Sequence, residues 1–133
     1  MKKLFFSLIA CFLLTSMISV NASKEKTEGS IINAWIWKKS IGGPSNPYVT
    51  TPKTIGFTKK IVFTENGRII TYKNNVEIRN STYKIEKGKG YFDQLEHDLI
   101  TFEGKTYVIE KLDNQNLTII SNNPDGAQTI FKR

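Results

Sequence analysis

From Ile31 onward, hydrophobic and polar positions alternate in short runs separated by turn residues. Alternation with a period of two is the mark of a strand, because successive side chains point to opposite faces of a sheet. Nowhere do apolar residues recur at helical spacing for more than two turns. The run Ile31–Lys39 places Trp35 and Trp37 on one face and Ile36 on the other. Ile55–Thr64 carries Phe57, Ile61 and Phe63 on one face, with Lys59 among them. Arg68–Lys73 has Ile70 and Tyr72 in phase, and Asn80–Glu86, after a short run Val76–Arg79, has Tyr83 and Ile85 in phase. Tyr91–His97 fits either a helical turn or a loop. Asp98–Phe102, Thr106–Leu112, Leu117–Ser121 and Ala127–Lys132 complete the series.

Between the runs lie turn signals. Glu65-Asn66-Gly67 predicts a hairpin, since Asn-Gly tolerates the positive φ angles of a tight turn. Asn74-Asn75, Lys87–Gly90, Glu103-Gly104, Asp113–Asn116 and Asn122–Gly126 punctuate the rest. Ser40–Thr54 holds Pro44, Pro47 and Pro52, which cannot donate to a ladder, so a long loop is expected there. Eight or nine short strands at roughly ten-residue spacing predict an all-β, antiparallel up-and-down meander, closed as a barrel or folded as a sandwich. Closure is favoured because an open meander leaves two bare edges. Parity near Lys59 and Lys111 is the weak point, because a bulge there reverses every later side chain.

The first 30 residues read differently. Lys2 and Lys3 precede an apolar run from Leu4 to Val20, and Val20-Asn21-Ala22 offers small residues at the exit. This is the layout of a secretory signal peptide, with cleavage after Ala22. A retained anchor is the competing reading, since about 17 apolar residues is the lower limit for a span. Leu8-Ile9-Ala10-Cys11 matches a lipobox, but Phe12-Leu13-Leu14 continues the apolar run past Cys11, so lipid attachment is not expected. The expected organisation is a signal peptide over 1–22, a flexible leader over 23–30 and a barrel domain over 31–133, secreted or periplasmic, with no membrane span after cleavage. Cleavage removes two lysines and the single Cys, taking the net charge from +7 to +5. No disulfide then supports the mature chain, and its hydrophobic core must suffice.

In its order of pieces the chain resembles the small secreted lipocalin-like (calycin-type) proteins of bacteria. The matching stretches are Ala34–Ser40, Gly42-Gly43, Thr51-Pro52, Gly56, Ile61–Gly67, Ser81–Ile85, Leu117–Ile120, Asp125-Gly126 and Phe131–Arg133. They span about Ile31 to Arg133. The resemblance implies an eight-stranded up-and-down barrel and a role in ligand binding or in the envelope. It assigns no catalytic residues. Asn33-Ala34-Trp35 stands where a lipocalin has Gly-x-Trp, which favours a lipocalin-like barrel over a true lipocalin.

The chemistry narrows the function classes. One His and one Cys exclude His clusters and Cys-based metal sites, and no HExxH, P-loop or GxSxG occurs. Neither enzyme activity nor a cofactor is expected. Glu96-His97-Asp98 offers acid–base groups, but strand neighbours point apart. A carboxylate enzyme using Glu86, Asp93 or Glu110 would need two acids converging in a cleft. The lysines are scattered, so no nucleic-acid partner is expected despite the basic balance. The strand aromatics admit two readings: a filled core, or a pocket for a small apolar or amphipathic ligand. On the pocket reading, Trp35, Trp37, Phe57, Phe63, Tyr72 and Tyr83 line it, and Tyr48 sits on a lid formed by Ser40–Thr54. The alternative is a filled barrel acting through its loops on an envelope partner or as an inhibitor. A monomer is expected. Export predicts that the protein recovered outside the cytoplasm begins at Ser23; an intact mass that retains residues 1–22 would overturn this.

Overall fold

The alternation that begins at Trp35 becomes the first strand of a closed sheet. The computed structural model describes residues 30–133; the signal peptide expected over 1–22, and the leader up to residue 29, lie outside the described residues. The elements are β1 (Ala34–Ile41), β2 (Val49–Thr50), α1 (Pro52–Ile55), β3 (Lys59–Phe63), β4 (Arg68–Lys73), β5 (Val76–Lys89), β6 (Glu96–Phe102), β7 (Lys105–Leu112), β8 (Asn116–Ser121) and β9 (Gln128–Lys132). The sheet runs β2-β1-β3-β4-β5-β6-β7-β8-β9, and a further ladder between β1 and β9 closes it. Every pairing is antiparallel. The result is an eight-stranded up-and-down barrel, with β2 as an extra strand hydrogen-bonded to β1.

Local chemistry makes the turns. Asn74 and Asn75 both take positive φ, 49° and 64°, as do Glu103 and Gly104, at 52° and 75°, so two-residue hairpins join β4 to β5 and β6 to β7. The β3–β4 connection is built otherwise than its Asn-Gly pair predicts. Only Gly67 is at positive φ there, and the Thr64 N–H donates to the Arg68 carbonyl at 2.9 Å, closing a three-residue loop. The long connection after β1 is not wholly irregular. Thr51 caps α1 through a reciprocal pair with Thr54, Pro52 occupies the first turn, and Gly56 at φ +82° ends it.

Register corrects the sequence reading at β5. Val76–Arg79 and Asn80–Glu86 are one 14-residue strand that runs on to Lys89, through the glycine expected to break it. This strand changes neighbours halfway. Val76–Thr82 pairs with β4, whereas Tyr83–Lys89 pairs with β6. Each half therefore has one free edge. Bulges fall at Lys38, Ile78 and Glu110, where one strand gains a residue on its partner. The bulge at Glu110 lets both Ile109 and Leu112 pack against the core. No shift occurs at Lys59.

The inward faces fill much of the interior. Trp35, Phe63, Ile69, Ile100 and Leu117 are the largest fully buried side chains, joined by Trp37, Ile61, Ile119 and Phe131. Ile31 tucks under this set, and its carbonyl accepts the buried Trp35 indole N–H at 2.9 Å. Ile100→Ala and Leu117→Ala should each cost about 2–5 kcal/mol, while Val76→Ala, at an exposed site, should change stability by about 0.5 kcal/mol or less. Urea titration midpoints check this, and equal losses at all three positions would refute the assignment of the core.

Candidate functional site in the barrel mouth

At one end of the barrel the packed interior gives way to a cavity of about 270 Å³. It lies where β3 and β7 begin and β6 ends. Ile61, Ile119 and Phe131 form its floor, continuous with the core, and Phe102 and Tyr107 stack at 5.0 Å between centroids along one wall. Its rim is polar: Lys59, Arg79 and Lys105 stand against a single carboxylate, Glu103. Thr129 adds a hydroxyl.

Each polar group is placed by its strand. Lys59 precedes Ile61 and Phe63 on the inward face of β3, so alternation directs its stem into the barrel. Arg79 lies opposite the buried Thr71, in the half of β5 that extends beyond the β6–β7 hairpin. It reaches across to Glu103, Nη1 to Oε2, at 3.1 Å. Lys59 is half-buried, and its pKa is lowered by burial first, then by Arg79 and Lys105, against a raising effect of Glu103. Tyr107 is pushed the other way: burial, and then Glu103, raise its pKa, so the phenol stays protonated at neutral pH and can donate. The mouth thus combines an apolar floor, a phenol donor and a net excess of two positive charges.

The residues expected to line a pocket are distributed differently. Trp35 and Trp37 are buried in the core, their indole N–H groups held by the Ile31 carbonyl and the Ser40 hydroxyl. Phe63 is also core, with Tyr83 edge-on at 4.9 Å, and the Tyr83 hydroxyl donates to the Thr64 carbonyl. These two rings back the cavity wall through Phe102, 6.3 Å from Phe63, without reaching the cavity. Tyr72 is on the outer surface. Ile69 and Thr71 take the inward parity of β4, and Tyr72 lies opposite Lys60, whose ammonium sits 4.6 Å from its ring. Phe57 packs under the Lys73 ammonium at 4.5 Å, away from the cavity. Tyr48 is 58% exposed and lines a separate hollow between its own loop and the turn 124–127. The loop folds against that turn because Gly43 has no Cβ to meet the Asp125 carbonyl. One signal could have found the site: a lysine in phase with Ile61 and Phe63 is a charge aimed inward.

The acidic candidates separate as well. His97 bonds Asp93 at 2.7 Å and Asp98 pairs with Lys87 at 2.6 Å, so Glu96-His97-Asp98 forms no cluster. Asp93 and Glu110 line one outer cleft together with Tyr91, Phe92 and His97, while Glu86 pairs with Lys84 elsewhere. The Leu95 N–H, and then His97, hold Asp93 below the ordinary carboxylate range, so it is ionised and no proton donor at neutral pH. Among the described residues no group of three or more His, Cys, Asp or Glu is placed to hold a metal ion, and no helix is long and apolar enough to cross a membrane.

No protein-family model, curated protein or solved structure matches the chain.

Because folding lowers the Lys59 pKa, the unfolded chain binds more protons between the folded value and 10.5, and stability rises with pH through that window. Lys59→Met should therefore unfold at a higher temperature than the parent at pH 7, with the advantage shrinking towards pH 10.5. Thermal unfolding at both pH values tests this, and a Lys59→Met midpoint below the parent at pH 7 would refute it.

Proposed function

We propose that this is a non-catalytic binding protein of the cell exterior or periplasm that takes a small amphipathic anion in its barrel mouth. The observation that carries the reading is the pairing of three cations and one carboxylate with an aromatic–aliphatic floor in one cavity. Apolar ligand surface placed on Ile61, Ile119, Phe131 and the Phe102–Tyr107 stack leaves water, at about 25 cal/mol per Å² before ordering costs. An anionic head group meets Arg79 and Lys105 through charge-assisted hydrogen bonds, the guanidinium offering the two parallel donors that match a carboxylate. Only Nη1 of Arg79 engages Glu103, and the Arg79 side chain is 55% exposed, so its remaining N–H groups can meet a ligand while the ion pair is kept.

Size sets the ligand class. At about 270 Å³, the cavity falls just below the usual range for drug-sized ligands. A short-chain or single-ring carboxylate fits, and a long lipid does not. Kinship with the lipocalin-like secreted proteins is part of the same proposal, supported by the closed eight-strand up-and-down topology.

A filled, surface-acting module is the second reading. It draws on the packed lower interior and on the exposed Tyr91, Phe92 and Leu95, at 48%, 57% and 63%, beside the outer cleft.

Calorimetric titration with hexanoate, hexylamine and hexanol separates the readings. Hexanoate should bind, the amine should not, and Lys105→Met or Arg79→Leu should weaken hexanoate by about tenfold or more, the worth of one charged hydrogen bond. No heat with hexanoate or with benzoate would favour the surface-acting module.

A further inference from the structure

Anion binding uses Lys59 only as a charge, and its surroundings suit it to more. Several lysines of the described chain have a side-chain partner. Lys84, Lys87 and Lys111 face Glu86, Asp98 and Asp113, while Lys60 and Lys73 sit over aromatic rings. The Asp98 hydrogen bond raises the Lys87 pKa, favouring the ammonium form. Lys59 is the contrary case. Among the described residues its amine has neither a salt bridge nor a hydrogen bond. It is half-buried at the rim of a ligand-sized cavity, beside Arg79 and Lys105, and the nearby carboxylate is already engaged by Arg79. Desolvation next to other cations is the environment in which a lysine amine becomes a nucleophile at neutral pH.

We propose that the Lys59 amine captures the carbonyl group of a small oxo-acid or aldehyde in the barrel mouth as a reversible imine. The inference rests on reading the mouth as a ligand cavity and narrows its ligand class. The amine lone pair attacks the carbonyl carbon, forming a C–N bond as the C=O π pair moves onto oxygen. The nitrogen gives up a proton to water and the oxygen takes one, leaving a carbinolamine. The hydroxyl takes a proton from water and leaves as water while the nitrogen lone pair forms C=N, and the resulting iminium returns its remaining N–H proton to the solvent. One amine and one carbonyl yield one imine and one water, with nothing oxidised or reduced. Arg79 and Lys105 hold the ligand's carboxylate, and the apolar floor takes the methylenes between the two ends.

The test incubates the full-length secreted protein with 6-oxohexanoate at pH 7 and cyanoborohydride, which reduces an imine to a stable amine. Intact mass counts the adducts and peptide mapping places them. The expected result is a single dominant adduct on Lys59, slowed by excess hexanoate, lost in Lys59→Arg and retained in Lys89→Arg. Labelling spread evenly over the exposed lysines, or a Lys59 left unmodified, would overturn the proposal. Mapping on the unaltered protein decides the matter even where a variant fails to fold. The two readings fail separately. Hexanoate binding without a Lys59 adduct removes the capture and keeps the anion site. A Lys59 adduct in a protein that gives no heat with hexanoate removes the anion reading and keeps the capture.

Discussion

The ladder between β1 and β9 is the constraint on which the rest of the molecule depends. Without it the meander would expose the backbone donors and acceptors of two edge strands. β1 meets the need by serving several partners at once: residues 34–36 pair with β3, residues 36–41 with β9, and Ser40 and Ile41 also with β2. Closing eight strands fixes an interior just wide enough for side chains to fill. The inward parity of each strand then decides which side chains become core, and large ones dominate: two tryptophans, Phe63 and Phe131 pack with isoleucines and a leucine.

A cavity survives because that filling is uneven along the barrel axis. Trp35, Phe63, Ile69, Ile100 and Leu117 crowd the middle and the end under Ile31. At the other end the inward positions belong to Lys59, Arg79 and Thr129, whose polar tips seek water and cannot pack across the opening. The extra chain between β1 and β3 does not stop the gap. Gly43 draws it against the β8–β9 turn, and the Gly42 N–H bonds the Tyr48 carbonyl at 2.8 Å, folding the loop on itself. The mouth is thus an outcome of which residues occupy the last inward position of each strand.

Much of this architecture is legible in the sequence, and what is not has identifiable physics. The alternation of Trp35 with Trp37 marks a strand with one buried face, and the Asn74-Asn75 pair marks a turn in which both residues take positive φ. Parity is harder to read. Ile70 and Tyr72 are in phase, but their face is the outer one, because the smaller Thr71 and its neighbour Ile69 face the core. Alternation states which residues share a face, not which face is inside. The β5 strand defeats a local reading because its charges and Gly88 resemble a break, while its pairing is fixed by two distant neighbours. The mouth residues Lys59, Arg79, Glu103, Lys105 and Thr129 come from four strands and one turn, and only closure brings them together. Nothing in their spacing announces a site, apart from the inward phase of Lys59.

The change of partners along β5 gives the charged residues of that strand a consequence that composition alone does not suggest. Each half of a 14-residue strand presents unpaired backbone on one side, the kind of template on which a second chain can add a strand. Val76 and Ile78, 64% and 48% exposed, would make one of those edges adhesive. The same strand carries Glu77, Arg79, Lys84, Glu86, Lys87 and Lys89. Two copies approaching edge to edge must strip water from these side chains and from the ion pairs they make with Glu103, Glu86 and Asp98, which opposes their joining. The charged side chains of this strand thus guard its two open edges against the addition of another strand.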